Sequence, residues 1–92
     1  MSLFRLYRLL VEIFRSNLKK AKYKIKRDAF EWLQQYISYK VATKDENFGN
    51  ARLIRNTFEK VVQNQADRLA RQSNISNEEL TIITIDDVNK LK

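Results

Sequence analysis

One glycine, Gly49, and no proline punctuate 92 residues. A β-sandwich or barrel of this length needs many tight turns, and tight turns draw on those two residue types. The chain is therefore expected to be all-α, a small bundle of three main helices and one or two short ones. Its length allows a single domain over residues 1–92, with a modest core and a small stability margin. At 43% hydrophobic and 11% aromatic, the chain has enough apolar surface to fold rather than stay disordered.

Cysteine and histidine are absent. Disulfide scaffolds, zinc sites of the Cys/His type and Ser-His or Cys-His catalysis are excluded within the chain. No apolar run approaches the roughly 18–20 residues that span a bilayer. No cleavage-site pattern follows Arg5 and Arg8, so the start does not read as a signal peptide. A cytoplasmic location is expected.

Apolar spacings of three and four predict a helix over residues 4–21, with Leu6, Leu10, Ile13, Phe14, Leu18 and Ala21 on one face. Its first turn or two reads equally as extended chain, because Phe4, Tyr7 and Leu9 widen the stripe. Tyr23-Lys24-Ile25 alternates apolar and basic residues. It is expected to bridge to the β-branched run Thr81-Ile82-Ile83-Thr84. A second helix runs from Asp28 to about Ser38, burying Ala29, Phe30, Leu33 and Ile37. Val41 to Asn47 is a polar loop. A third helix runs from about Asn50 to Gln72, with Leu53, Ile54, Phe58, Val61, Val62, Gln65 or Ala66, and Leu69 along its face and Asn50 as its cap. Ser76 and Glu79 have the spacing of a capping box. Thr84 or Asp86 starts a last short helix, Asp87 to Leu91.

Charge is unevenly spread. Residues 1–27 hold Arg5, Arg8, Arg15, Lys19, Lys20, Lys22, Lys24, Lys26 and Arg27 against one acid, Glu12. The rest of the chain holds nine bases and ten acids. The basic patch of Lys19, Lys20, Lys22, Lys24, Lys26 and Arg27 has three readings: a solvated face, a dock for an acidic protein surface, or a nucleic-acid contact in which Tyr23 stacks on a base. No RNA-binding or helix-turn-helix signature accompanies it. The carboxylate pairs Asp45-Glu46, Glu78-Glu79 and Asp86-Asp87 read as loop and helix-start acids, since adjacent helical residues do not face one another.

Gly49 precedes the longest helical pattern, and Arg52 falls in its first turn. A cation there faces the positive end of the helix dipole, unless an anion belongs beside it. Arg52 is thus either a surface arginine or a phosphate contact. Arg55, nearly a turn on, is a second phosphate candidate or a solvated charge.

The run Phe48-Gly49-Asn50-Ala51-Arg52-Leu53-Ile54-Arg55-Asn56-Thr57-Phe58-Glu59, with Gln65-Ala66-Asp67-Arg68-Leu69 and Leu80-Thr81-Ile82-Ile83-Thr84-Ile85-Asp86-Asp87-Val88, resembles the C-terminal end of the CbxX/CfqX family of AAA+ ATPases. That family includes the stage V sporulation protein K group and the red-type Rubisco activases. The resemblance implies a helical lid that closes over ATP held by a preceding α/β subdomain, within a ring that is a hexamer by family analogy. It makes Gly49-x-x-Arg52 similar to the sensor 2 motif, with Arg52 on the ATP phosphates, Gly49 and Asn50 beside them and Arg55 as a further contact. ATP and magnesium are implied for the intact ATPase only. Thr57 departs from the leucine expected there. With one glycine the chain has no phosphate loop, so alone it is expected to be no enzyme. The alternatives are a small basic helical module that binds nucleic acid or an acidic protein, and an adaptor that docks a partner through Phe4, Tyr7 and Leu9.

Overall fold

A computed structural model of the chain describes residues 3–43 and 50–91. In order these form α1 (Leu3–Lys20), β1 (Lys24–Ile25), α2 (Arg27–Thr43), α3 (Asn50–Ala70), a 3-10 turn (Glu79–Thr81), β2 (Ile82–Ile83), α4 (Ile85–Val88) and a closing 3-10 turn (Asn89–Leu91). The fold is mostly helical, with four helices and one small two-strand sheet among the described residues. Among the described residues no helix is long and apolar enough to cross a membrane.

Helix α1 is helical from Leu3, so the extended alternative for its start does not hold. Its buried face is Leu10, Val11, Phe14 and Leu18. That face is rotated from the expected one: Ile13 and Ala21 are exposed, and Val11 takes the inner position. The helix ends in a Schellman turn. Lys22 donates its N–H to the Lys19 carbonyl at 3.0 Å, and Tyr23 donates to the Leu18 carbonyl at 2.8 Å. Lys22 occupies the left-handed position of that turn, φ 65°, which glycine usually takes.

β1 and β2 pair in parallel, Lys24 opposite Ile82 and Ile25 opposite Ile83, as the bridge expectation required. Lys26 then donates its N–H to the Ile83 carbonyl at 3.0 Å. Helix α2 continues past Ser38 to Thr43. Val41 extends the four-residue spacing of Ala29, Leu33 and Ile37, and all four are buried. Burying Val41 favours one more turn of helix over the polar loop expected from residue 41 onward. The rest of that expected loop, 44–47, lies outside the described residues.

Helix α3 buries Asn50, Ile54, Thr57, Val61, Gln65 and Leu69. Leu53, Phe58 and Val62 are half-buried, and Ala66 is exposed. Thr57, the departure from leucine, is therefore a core position. Phe58 meets Phe14 edge-on at 5.8 Å and Tyr23 at 6.4 Å between ring centroids. These contacts fasten α3 across α1 and its Schellman turn. Ile83, Val88 and Leu91 close the core from the C-terminal segment.

The start of α1 packs beside the end of α2, since Phe4 and Tyr7 share a groove with Tyr39, Val41 and Ala42. The later half of α3 touches β2, which pairs with β1 at the far end of α1. Helices α1 and α3 thus run the same way, and α2 runs back, with α1 packed against both. Two ends result, separated by about 27 Å of helix. One carries the starts of α1 and α3. The other carries the Schellman turn and the sheet.

Candidate functional site

The start of α3 is set by which of its residues the core takes. Asn50, Ile54 and Thr57 turn inward, so Arg52 and Arg55, half a turn and a quarter turn from Ile54, project outward and are exposed. Neither arginine makes a hydrogen bond or ion pair with a described residue. The first turn of α3 contains no acid. Arg52 is thus an unpartnered cation at the positive end of a 21-residue helix. Asn50, only 9% exposed, is already helical, so it is not the cap expected before the helix. Gly49 lies outside the described residues, as does the pair Asp45-Glu46.

The six cations of the basic patch lie together at the opposite end. Lys19 and Lys20 close α1, Lys22 sits in the Schellman turn, Lys24 opens β1, Lys26 follows it, and Arg27 opens α2. All six are exposed. Tyr23, set among them, is half-buried and packed edge-on against Phe58. Its ring is used by the core and does not stand free as a stacking platform. Arg52 and the patch therefore belong to two separate surfaces.

A third cluster had no functional reading in the sequence. Arg68, expected only to flank the apolar face of α3, donates Nε to Asp87 Oδ1 at 2.8 Å and Nη2 to Asp87 Oδ2 at 3.2 Å. It also donates Nη2 to the Ile82 carbonyl at 3.3 Å. Asp87 Oδ2 accepts the Thr84 N–H at 2.9 Å, so Thr84, one of the two expected starts, caps the helix, which runs from Ile85 and not from Asp87. Asn64 donates to the Asp87 carbonyl, and Gln65 donates to the Leu80 and Ile82 carbonyls. The hydrogen bond to Asp87 is the main reason the Arg68 guanidinium holds its proton more tightly than an ordinary arginine. This network clasps β2 and α4 to α3. Its signal in the sequence was Gln65 on the expected apolar face, with Asn64 and Arg68 flanking it.

The apolar residues of the adaptor alternative divide. Phe4 is 65% exposed and Leu9 is exposed, while Tyr7 is half-buried against the core. Ser76 and Glu79 form their capping box, Ser76 N–H to Glu79 Oε1 and Glu79 N–H to Ser76 Oγ, both 3.1 Å. No group of three or more carboxylates that could hold a metal occurs among the described residues.

Residues 8–92 match the family model described as the AAA lid domain. No curated protein matches the chain.

Proposed function

We propose that this chain, which belongs to the AAA lid domain family, closes over ATP held by an AAA α/β subdomain and meets the phosphates with Arg52. Lids of this kind belong to ATPases, so an associated α/β subdomain is implied. The phosphate loop and the magnesium-binding acids would come from that subdomain, because this chain contains neither.

One observation carries the reading. Arg52 is an exposed cation, without a partner among the described residues, where its own helix dipole disfavours it. A polyphosphate supplies the missing anion, and a guanidinium fork matches phosphate oxygens two at a time. Asn50, held in the core, fixes the backbone beside it. Arg55 sits three residues on, on the same exposed side, as a second cation for the phosphates. Gly49 completes the sensor 2 pattern in the sequence.

The lid is also built to move as one body. Helices α1, α2 and α3 share a continuous core, and the Arg68–Asp87 clasp fixes the C-terminal segment to α3. A force on Arg52 thus turns the whole domain, and loss of the γ-phosphate releases it. The resemblance to the CbxX/CfqX ATPases supports placing this motion in a ring, with neighbouring subunits as further partners.

Nucleotide binding by the assembled ATPase tests the role. Arg52→Ala should weaken ATP about tenfold more than ADP, since a charged hydrogen bond to the γ-phosphate is lost. Equal weakening of both nucleotides, or none, would remove Arg52 from the γ-phosphate.

A further inference from the structure

We propose that the end of the domain remote from Arg52 docks an acidic, extended segment of a partner protein. The segment's carboxylates meet Arg15, Lys19 and the neighbouring Lys20, and an apolar side chain rests on Leu18, Tyr23 and Ile25.

Charge is the first observation. Six exposed cations occupy nine consecutive residues, 19–27, and none forms an ion pair with a described residue. The same domain does pair cations where it has acids to offer, as Arg68–Asp87 shows. Two of the six also sit where the helix dipole disfavours them. Lys26 and Arg27 stand at the positive end of α2, whose one first-turn acid, Asp28, is hydrogen-bonded to the Ala29 N–H at 2.7 Å. Local costs left uncompensated within the fold point to an anion from outside it.

The shape of the surface separates a peptide from a nucleic acid. An open groove runs between α1 and β1. Its floor is apolar, from Leu18, Tyr23 and Ile25, and its rim carries Arg15 and Lys19. The Glu12 carboxylate at the same rim lies 3.8 Å from Arg15. An apolar floor suits a side chain between acidic residues and offers a phosphodiester backbone nothing. The aromatic ring that lines the groove, Tyr23, is turned edge-on into Phe58, and nearby Phe30 is covered by the Arg15 guanidinium at 5.3 Å, so neither offers a base a free face to stack on. The cations come from a helix end, a turn and a short strand, and no helix is presented that would enter a groove of duplex DNA.

Fluorescence anisotropy on the full 92-residue chain tests the proposal. The probes are a labelled peptide of glutamates interrupted by leucine, the same peptide without leucine, and a single-stranded oligonucleotide of equal charge. The leucine-bearing peptide should bind tightest. Lys19→Glu/Lys20→Glu should weaken it about tenfold, whereas Lys40→Glu/Lys60→Glu, an equal change of net charge elsewhere, should weaken it less than about twofold. Circular dichroism melts confirm that both variants are folded. Tighter binding of the oligonucleotide at matched salt overturns the proposal in favour of nucleic acid. Equal effects of the two double reversals, or no binding of any probe, overturn it outright. None of these outcomes bears on Arg52, which lies at the other end.

Discussion

Replacing Arg68 by methionine keeps the apolar stem of the side chain and removes its charge. The Asp87 carboxylate, in a residue only 1% exposed, then loses hydrogen bonds of 2.8 and 3.2 Å and keeps the Thr84 N–H and hydroxyl. Stranding a buried charge in this way costs about 3–5 kcal/mol. The Arg68 side chain is 20% exposed, so water reaches the site once it is gone, and the low end, about 3 kcal/mol, applies. A domain of this size has about 5–14 kcal/mol in all. At about 4–8 °C per kcal/mol, Arg68→Met should lower the melting temperature by about 12–24 °C. Thermal and urea unfolding followed by circular dichroism measure it. A double-mutant cycle then separates the pair from the packing. Arg68→Met/Asp87→Asn should be more stable than Arg68→Met alone, with a coupling of at least about 1 kcal/mol. A drop below about 4 °C, or a coupling of zero, would refute the claim that this pair clasps α4 to α3.

Lys22→Gly should stabilise the domain by about 0.5–1 kcal/mol: relief of the left-handed backbone, about 1–2 kcal/mol, exceeds the chain entropy that glycine adds, and urea unfolding would register it. Phe14→Ala, which empties a fully buried ring site against Phe58, should cost about 3–5 kcal/mol by the same method. The raised Arg68 pKa places that group's linkage far into alkali: its contribution is full below the ordinary arginine range and is lost only as pH rises through the higher folded value. The stability gap between wild type and Arg68→Met should therefore hold between about pH 7 and pH 9, and a gap that shrinks over that window would contradict this assignment. The chain alone should release no phosphate from ATP above a buffer blank, for want of a phosphate loop.

Much of the architecture was legible because it rests on spacing. The four-residue steps of α2 and α3, and the two β-branched or alternating stretches that pair as β1 and β2, are visible one residue at a time. The misreadings were matters of tertiary choice. Leu6, Leu10, Val11, Ile13 and Phe14 give α1 more apolar surface than one face can bury, and only tertiary packing into the common core selects Val11 over Ile13. The end of α2 was hidden because Val41 stands next to polar residues, although it continues the spacing from Ile37. The clasp was invisible for a different reason. Arg68 and Asp87 are 19 residues apart, and nothing local distinguishes a buried ion pair from two solvated charges. For the end that carries Arg52, the sequence named that residue from its helix position, and the fold adds its exposure and want of a partner among the described residues.

The central claim is that Arg52 acts on a phosphate and not on the fold. It is tested most directly by steady-state phosphate release from the assembled ATPase carrying Arg52→Ala, beside unfolding of the same variant of this chain. The expected result is a loss of about a hundredfold in kcat, in the range for removing one preorganised donor, with stability unchanged within about 0.5 kcal/mol. Undiminished hydrolysis would contradict the account, as would a loss of hydrolysis matched by a loss of stability.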